Sequence, residues 1–185
     1  MEPSARAVHG AACIAVVGPG AGDATKADLD IALEVGGLLA DQGAIVVCGG
    51  MDGVMEAACR GASERGGLTV GILPGRDRTG ANAYLTIALP TGLGELRNGL
   101  VVGTSEAVIA VGGSWGTLSE IGLAMRTRKP TIVLGGWTIQ DPAAGRPDEP
   151  HRATSAMTAV ADALEAVADA RRRAFGSGAD NPQWI

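Results

Sequence analysis

Short apolar runs alternate with longer segments of mixed character along most of the chain. The runs span four to six residues, are rich in Val and Ile, and are followed closely by Gly or Pro. Runs of this length and composition are typical of strands buried on both faces of a parallel sheet. The predicted strands are Cys13–Val17, Ala44–Val47, Leu68–Leu73, Tyr84–Leu89, Ala107–Val111 and Thr131–Leu134.

Helix-length segments separate these predicted strands. In the last of them Leu118, Ile121 and Met125 recur at helical spacing, and Pro130 follows its end. A strand-helix repeat with short links favours right-handed crossovers between parallel strands. The pattern therefore predicts an α/β protein with an open, doubly wound parallel sheet and helices on both faces. The predicted helices are Ala24–Asp41, Gly53–Arg65, Gly92–Ser105 and Gly116–Lys129.

The chain changes character after the sixth predicted strand. Gly135–Ser155 is polar and interrupted by prolines, which predicts an irregular surface loop. Ala156–Phe175 resumes a helical pattern, and we expect a mobile tail after Gly176. Because 185 residues are the usual length of one domain, we predict a single domain over residues 1–185 with its core at about 13–134.

Charge and apolar content disfavour several classes of partner. The chain has 20 acidic and 15 basic side chains, a net charge of −5 and no basic stripe, so we expect no binding of nucleic acid. No apolar run approaches the roughly 18 residues of a membrane span. The N-terminal apolar stretch ends in a Gly-Pro-Gly turn rather than at a cleavage site. These features predict a cytoplasmic protein without membrane contact.

Cysteine and histidine usage gives no sign of a metal site or a disulfide framework. Cys13, Cys48 and Cys59 form no CxxC pair, and their odd number favours reduced, buried thiols. His9 and His151 are far apart in the sequence, so each is interpreted as an ordinary surface residue. We therefore predict no metal and no resident cofactor.

Two glycine loops of one design are the most informative feature of the sequence. Gly49-Gly50-Met51-Asp52-Gly53 and Gly112-Gly113-Ser114-Trp115-Gly116 each follow a predicted strand and precede a predicted helix. In a parallel sheet both loops lie at the carboxyl edge, where helix N–H groups can bind a phosphate. A third glycine-rich turn, Gly18-Pro19-Gly20, follows the first strand. The alternative is that these glycines only permit tight turns between strand and helix.

The loops differ from two common nucleotide-binding motifs. None is G-x-G-x-x-G and none has the Gly-Lys-Ser/Thr of a P-loop, which disfavours dinucleotide oxidoreductases and NTPases. The helix after the second loop opens with Thr117, Ser119 and Glu120. Glu120 either complements the helix dipole or acts in catalysis, and the sequence leaves both interpretations open.

Three motifs together resemble the signatures of LOG-type proteins. They are the segments from Gly49 to Ala57, from Glu95 to Asn98 and from Gly112 to Glu120. Members of this Rossmann-like family have long been labelled "possible lysine decarboxylase", and some are cytokinin riboside 5′-monophosphate phosphoribohydrolases. The resemblance covers roughly Cys13 to Leu134. It implies a Rossmann-like fold and a phosphoribohydrolase site in which Arg97 and Glu120 are the catalytic pair.

Departures from the family pattern point to one branch of it. Val111 stands where the glycine motif opens with proline, Asn98 stands where the family has lysine, and Trp115 fills the variable position. Together with the segment Gly67–Gly75, these residues make the chain similar to the branch that includes molybdenum-cofactor carrier proteins. The missing lysine weakens the case for hydrolysis of cytokinin nucleotides and leaves phosphate binding untouched.

The lysines do not fit the old decarboxylase label. Lys26 and Lys129 are the only two in the chain. A pyridoxal phosphate enzyme needs a lysine within its pocket to form the Schiff base. Because one lysine lies near a helix start and the other at a helix end, we do not expect a lysine decarboxylase.

Two functions are consistent with these observations. In the leading hypothesis the protein binds a nucleoside 5′-monophosphate and hydrolyses its N-glycosidic bond. Glu120 then stabilises the oxocarbenium-like state and orients water, while Arg97 anchors phosphate or ribose. The group that protonates the leaving base is not identified, and Asp52 and Glu56 are candidates. In the alternative, the protein carries a phosphorylated cofactor such as molybdenum cofactor without turnover.

The predicted ligand is a nucleotide-like small molecule or phosphate, bound by the three glycine-rich turns. We expect the helix starts at Gly53 and Gly116 to hold the phosphate with Thr117, and residues near Met51 and Trp115 to face the ring. Gly92–Ser105 and the helix from Gly116 are more apolar than one buried face needs, and the resemblance to LOG-like proteins implies a dimer or larger assembly, so we also predict a homodimer or a higher homo-oligomer. The predicted binding residues are Gly18, Gly20, Gly49, Gly50, Met51, Gly53, Gly112, Gly113, Ser114, Trp115, Gly116 and Thr117.

Overall fold

One parallel sheet organises the computed structural model, which describes residues 10–139 and 149–176. Its strands are β1 (Cys13–Val17), β2 (Ile45–Cys48), β3 (Thr69–Leu73), β4 (Ile87–Pro90), β5 (Ala107–Val111), β6 (Thr131–Leu134) and β7 (His151–Arg152). Their order is β4-β3-β2-β1-β5-β6-β7, and every neighbouring pair is parallel.

Helices cover both faces of this sheet. They are α1 (Lys26–Asp41), α2 (Val54–Glu64), α3 (Asn98–Gly103), α4 (Trp115–Arg126) and α5 (Ala156–Gly176), with a short 3₁₀ helix at Gly94–Arg97. The predicted Rossmann-like, doubly wound α/β fold is therefore confirmed. None of the helices in the described residues is long and apolar enough to cross a bilayer.

Side chains of the strands alternate between two hydrophobic layers. Ile14 and Val16 of β1 face the layer that α1, α2 and α5 cover. Ala15 and Val17 face the layer that α3 and α4 cover. Because both faces of the central strands are buried, their sequences are continuously apolar rather than alternating.

The chain reverses its progress across the sheet at β1. It runs outward from β1 through β2 and β3 to β4, and then crosses back to β5 on the other side of β1. In open α/β sheets, ligands bind outside the carboxyl ends of the strands at such a reversal. The loops that follow β1 and β5 therefore flank the expected ligand crevice.

Two helices begin where side chains provide caps. Thr25 caps α1, because its hydroxyl accepts the Asp28 N–H while the Asp28 carboxylate accepts the Thr25 N–H. This capping box makes α1 begin at Lys26, two residues after the predicted start. Ser114 caps α4, which therefore begins at Trp115, one residue before its predicted start.

The predicted strand Tyr84–Leu89 is wrong at its start. The strand β4 covers only Ile87–Pro90, and Tyr84 lies in a turn. Polar contacts replace the sheet register there, since the Tyr84 carbonyl accepts the Thr69 hydroxyl at 2.7 Å.

The predicted helix Gly92–Ser105 is also wrong over its first half. Gly92 and Gly94 have φ values of 68° and 57°, which a right-handed helix does not accommodate. The chain instead forms the 3₁₀ turn and then the six-residue helix α3, which begins at Asn98. The turn brings Arg97 towards the carboxyl edge of the sheet.

The segment Gly135–Ser155, predicted to be an irregular loop, contains a strand. The strand β7 pairs with β6 through His151 and Arg152, and the Arg152 guanidinium donates to the Trp137 carbonyl at 2.8 Å. Two polar residues show no apolar periodicity, so the pattern gave no signal for this strand. The predicted tail after Gly176 lies outside the described residues.

Candidate functional site

A cleft of about 170 Å³ lies at the carboxyl ends of β1, β2 and β5. The loops after these three strands, the 3₁₀ helix and the first turns of α2 and α4 surround it. Its lining residues are Val17, Gly18, Gly20, Gly49, Met55, Glu95, Arg97, Asn98, Ser114, Gly116, Thr117 and Glu120.

Larger hollows lie elsewhere on the described part of the molecule, and two of them exceed 500 Å³. One, of about 670 Å³, opens beside the amino ends of β2 and β3 and is lined mostly by Ala and Gly. Its Asp41 is already paired with Arg65. The other, of about 540 Å³, lies between the start of β6 and α5. Only the cleft combines a buried arginine, a buried glutamate and a helix N-terminus among the described residues, so we treat it as the candidate site.

The N-terminus of α4 faces this cleft. The Ser114 hydroxyl accepts the Thr117 N–H at 3.3 Å and lies 3.0 Å from the Thr117 hydroxyl. Within the described residues, the N–H groups of Trp115 and Gly116 donate no hydrogen bond. Unpaired N–H groups and the helix dipole together favour an anion at this position.

Arg97 reaches over the first glycine of the first loop. A Cβ at Gly49 would lie 2.6 Å from Arg97 Nη2, so only glycine permits this approach. Arg97 Nη1 lies 3.7 Å from Glu120 Oε1, and the two side chains are 12% and 8% exposed. The Nε atom of Arg97 is buried and has no hydrogen-bond partner within the described structure. A buried donor without a partner is unfavourable, so an acceptor from a ligand would stabilise it.

A chain of hydrogen bonds holds Arg97 in place. Its Nη1 donates to Asn98 Oδ1, and Asn98 Nδ2 donates to Ser119 Oγ at 3.1 Å. The Ser119 hydroxyl in turn donates to the Gly116 carbonyl at 2.7 Å. Asn98 therefore connects the arginine to the first turn of α4.

Glu120 is a buried carboxyl group on the next turn of α4. Burial raises its pKa to about 7, against the opposing effect of the Arg97 guanidinium. Near neutral pH the site therefore contains Glu120 in both protonation states. This makes the net charge of the pair with Arg97 sensitive to pH.

The first glycine loop is largely occupied by contacts within the protein. The Val54 N–H at the start of α2 donates to the Pro19 carbonyl at 3.0 Å. Asp52 Oδ1 accepts the Ala21 N–H at 3.1 Å, which ties this loop to the turn after β1. The Met51 carbonyl accepts from Asn82 Nδ2 at 3.0 Å.

The structure brings eight of the fourteen predicted site residues to the cleft. Six others lie outside its lining. Both catalytic candidates are present, with a side-chain separation that allows direct interaction. The eight are Gly18, Gly20, Gly49, Arg97, Ser114, Gly116, Thr117 and Glu120. The six are Gly50, Met51, Gly53, Gly112, Gly113 and Trp115.

Sequence reasoning did not assign a role to three lining side chains. Met55 lies against Gly49, since a Cβ there would be 2.8 Å from Met55 Sδ. Glu95 and Asn98 flank the arginine on the 3₁₀ helix and α3. All three belong to the quoted motifs, so their position in those motifs was the available signal. Asp52 and Glu56, the candidates for the leaving-group acid, are not among the lining residues.

Two tryptophans pack on one another beside the second loop. Trp115 is 76% exposed, and its ring centroid lies 5.0 Å from that of Trp137 at an interplanar angle of 45°. Trp137 Nε1 donates to the Ser114 carbonyl at 3.1 Å. Trp137 thus supports the loop, while Trp115 presents an open aromatic face to solvent.

Other chemistry-bearing groups lie away from the cleft. Lys26 pairs with Asp30 on α1, and Lys129 donates to the carbonyls of Gly103 and Ser105. Residues 10–139 and 149–176 contain no group of three His, Cys, Asp or Glu side chains placed to hold a metal ion.

Solved structures with this fold include proteins of known ligand. The molybdenum cofactor binding protein from the phototrophic bacterium Rippkaea orientalis superposes with a TM-score of 0.75 at 36% identity, covering 87% of this chain and 98% of that one. The Moco carrier protein from Chlamydomonas reinhardtii superposes with a TM-score of 0.75 at 34% identity, covering 86% and 99%.

Sequence comparison gives the family. An uncharacterized protein of Archaeoglobus fulgidus is 40% identical over 126 residues, which are 65% of this chain and 83% of that protein. The sequence profile of the SLOG cluster 4 family matches residues 11–166. This match covers all three glycine-rich turns and confirms the LOG-like resemblance. The chain therefore belongs to the SLOG cluster 4 family.

Proposed function

We propose that the chain is a carrier that binds a phosphorylated heterocyclic cofactor of the molybdenum cofactor type, with the phosphate in the cleft. The similar structures from Rippkaea orientalis and Chlamydomonas reinhardtii are described as molybdenum cofactor binding and carrier proteins. Their identities to this chain exceed 30% over most of each sequence, which supports carrying the ligand class across.

The unpaired Arg97 Nε is the observation that carries this proposal. A buried guanidinium with an unused donor needs an acceptor, and phosphate oxygens accept from arginine in well-defined geometry. The free N–H groups of Trp115 and Gly116 supply further donors from α4. Gly18, Gly20 and Gly49 line the cleft in which the phosphate would lie.

The volume of the cleft divides the ligand into a buried and an exposed part. About 170 Å³ is well below the roughly 300 to 1,000 Å³ of pockets that enclose a whole drug-sized ligand. The phosphate and its neighbouring atoms fit inside, so the ring system extends towards the surface. Trp115, exposed beside the second loop, offers an aromatic face to that ring.

Cofactor loading tests the proposal directly. The purified protein is incubated with molybdenum cofactor released from a molybdoenzyme, and bound pterin is measured by its fluorescence after oxidation. Charged hydrogen bonds contribute about 1.5 to 3 kcal/mol, so Arg97→Ala should lower affinity by roughly 10-fold to 100-fold. Arg60→Ala removes an exposed arginine of α2 as the matched control. Equal loading of wild type and Arg97→Ala would refute the proposal.

A second candidate function follows from Glu120. A carboxyl group with a pKa near 7 is suited to general acid or base catalysis at neutral pH. In a nucleoside 5′-monophosphate hydrolase it would stabilise the oxocarbenium-like state and orient water, with Arg97 on the phosphate. Release of free base and ribose 5-phosphate from AMP, abolished in Glu120→Gln, would establish this activity. Tight binding of AMP without turnover would favour the carrier.

We also propose that the protein assembles into a homo-oligomer. Five large apolar side chains on β4, around the 3₁₀ helix and on α3 are exposed, with Leu96 81% exposed, and we refer to them as the apolar surface. This surface consists of Ile87, Leu89, Leu93, Leu96 and Leu100. Several large apolar side chains exposed within one stretch of a folded chain favour an interface, and a second copy of the chain is the expected occupant.

Light scattering tests this assembly. Leu96→Glu should shift the oligomer to monomer, because the charge would be buried in the interface. Leu68→Glu, at an exposed leucine outside this surface, should leave the mass unchanged. A monomeric wild-type protein at micromolar concentration would contradict the proposal.

A further inference from the structure

Two cysteines lie in contact beneath the cleft. Cys48 is the last residue of β2 and Cys59 lies on α2, eleven positions later in the chain. Both side chains are fully buried, and their Sγ atoms are 3.4 Å apart. The Cys48 sulfur also accepts the Gly50 N–H at 3.2 Å. The two sulfurs are in contact, and a disulfide with about 2.05 Å between sulfurs would bring them roughly 1.4 Å closer.

We propose that Cys48 and Cys59 form a redox modification site, at which a small two-electron oxidant such as hydrogen peroxide converts the dithiol into a disulfide. The site lies directly under the first glycine loop. Gly49, the residue after Cys48, lines the cleft and lies under the Arg97 guanidinium, so we place control of access at this residue. Formation of the disulfide does not depend on the identity of the ligand. The effect of a ligand in the cleft on the rate of its formation rests on the proposed function.

The reaction balances with peroxide as the only co-reactant. The Cys48 thiolate attacks one peroxide oxygen, the O–O bond breaks, and the departing hydroxide takes up a proton to give water. The sulfur of Cys59, after losing its proton, attacks the resulting Cys48 sulfenic acid. The S–S bond forms, the S–O bond breaks, and a second water leaves. Two thiols are oxidised by two electrons, and one peroxide is reduced to two waters.

The surroundings distinguish the roles of the two thiols. The hydrogen bond from Cys59 lowers the pKa of Cys48, with further help from the Gly50 N–H and the Arg97 charge against the effect of burial. The same hydrogen bond, together with burial, raises the pKa of Cys59. Because the thiolate is the nucleophile and the Gly50 N–H donates to the Cys48 sulfur, where it stabilises negative charge, Cys48 is the attacking residue and Cys59 the resolving residue.

Arg97 provides the route by which the cleft controls oxidation. Its guanidinium covers Gly49, the lining residue next to Cys48. Neither sulfur is exposed or lines the cleft, so in our proposal peroxide reaches Cys48 past Gly49 when this side chain moves away. An oxyanion bound by Arg97 would hold the guanidinium over Gly49, so occupancy should slow the reaction.

Cys13 supplies an internal control. It lies at the start of β1, away from the carboxyl edge, and is partly exposed. Burial and the neighbouring Glu106 carboxylate raise the pKa of its thiol. If exposure alone governed oxidation, Cys13 would react first. Our proposal places the reaction at the two cysteines that are more deeply buried.

Peptide mapping of the full chain after peroxide treatment tests the site without any ligand. We expect the mass to fall by two hydrogens and an intramolecular link to join the peptides of Cys48 and Cys59. Cys13→Ser should behave as wild type, and Cys59→Ser should retain a sulfenic acid on Cys48 that dimedone traps. Oxidation at Cys13 alone, or only links between chains, would overturn the proposal. Mapping on wild type decides this even where a variant does not fold.

Repeating the time course with sulfate tests the control by occupancy. Calorimetry first establishes whether sulfate binds. With sulfate bound, disulfide formation should slow severalfold. Equal rates with bound sulfate would overturn the control by occupancy. If sulfate does not bind, that result counts against the proposed function. Peptide mapping then decides by itself whether the disulfide forms.

Discussion

The two glycine loops share one GGxxG pattern and one position between strand and helix, yet they have different surroundings. In the first loop, Gly53 packs against the turn after β1: a Cβ there would lie 2.5 Å from the Pro19 carbonyl oxygen. In the second, a Cβ at the equivalent Gly116 would meet no atom nearer than Ser114 Oγ at 3.7 Å. At this matched position the first loop is a packing contact, whereas the second loop has free space beside the start of its helix.

The residues between the glycines account for much of this difference. In the first loop Asp52 bonds to the backbone of the neighbouring turn and draws the loop against it. In the second loop Ser114 caps α4 and leaves two N–H groups of the helix unpaired within the described residues. A shared glycine pattern thus specifies the turn, while the variable positions decide whether the helix N-terminus stays accessible.

Alanine at the matched glycines should separate the loops most strongly. Gly53 has φ 68° and ψ −133°, a conformation that only glycine adopts readily, and its Cβ position is occupied by backbone. Gly53→Ala should lower the free energy of unfolding by about 2 to 5 kcal/mol. Gly116→Ala should raise it by up to about 1 kcal/mol, because alanine is the better helix former. Denaturant titration measures both.

Equal destabilisation by the two substitutions would contradict the comparison. Gly99→Ala, where a Cβ meets nothing within 4 Å on helix α3, is a control for the general effect of replacing glycine in a helix. Its effect on the free energy of unfolding should resemble that of Gly116→Ala rather than that of Gly53→Ala.

Oxyanion affinity should depend on pH through Glu120. As pH rises through about 7, Glu120 ionises and its carboxylate offsets the Arg97 charge 3.7 Å away. Sulfate, which does not titrate in this range, should therefore bind about 3-fold to 10-fold more weakly at pH 8 than at pH 6. By linkage, bound sulfate should raise the pKa of Glu120 further. Calorimetry should show that sulfate affinity falls with rising pH in wild type and stays constant in Glu120→Gln. The same pH dependence in both proteins would refute the role of Glu120.

The Ser114 cap allows stability to be separated from binding. Ser114→Ala and Ser155→Ala each remove a hydroxyl that accepts an N–H at a helix start, from Thr117 and Thr158 respectively. Each should cost about 1 kcal/mol of stability. Only Ser114→Ala should also change sulfate affinity, because Ser114 lines the cleft and Ser155 is not among its lining residues. Unchanged affinity in both would show that the cap does not shape the binding site.

The smallest effect is expected from Asn98. Asn98→Ala removes the hydrogen bonds that connect Arg97 to Ser119, without removing the guanidinium itself. Asn98 acts on the anion only by positioning Arg97, so sulfate affinity should fall less than on loss of the guanidinium, by roughly 2-fold to 10-fold. Asn82→Ala, which removes an amide bonded to the first loop at Met51, should change it less. A larger loss of sulfate affinity in Asn82→Ala than in Asn98→Ala would favour the first loop as the anion site.

Periodicity predicted the fold well where strands are buried on both sides. The runs at Cys13–Val17, Ala107–Val111 and Thr131–Leu134 have the observed bounds, because burial on two faces imposes apolar residues without interruption. The edge strand β4 is partly exposed, so its composition carries less information. The two-residue strand β7 depends on pairing with β6 and left no local pattern.

Motifs predicted the site only in part, since accessibility depends on neighbours distant in sequence. Arg97 and Glu120 do lie together, as the resemblance implied. The closure of the first loop comes from Pro19, more than thirty positions away from Val54. The Cys48–Cys59 contact arises from packing of β2 against α2, and the absence of a CxxC motif concealed it.

The location of a bound oxyanion tests the central claim most directly. Crystals soaked with selenate, a sulfate analogue with an anomalous signal, would show the anion without assumptions about the natural ligand. We predict a peak within hydrogen-bond distance of the Gly116 N–H and of the Arg97 guanidinium. A peak at the first loop near Gly53, or at either larger hollow, with none at α4 would contradict the account.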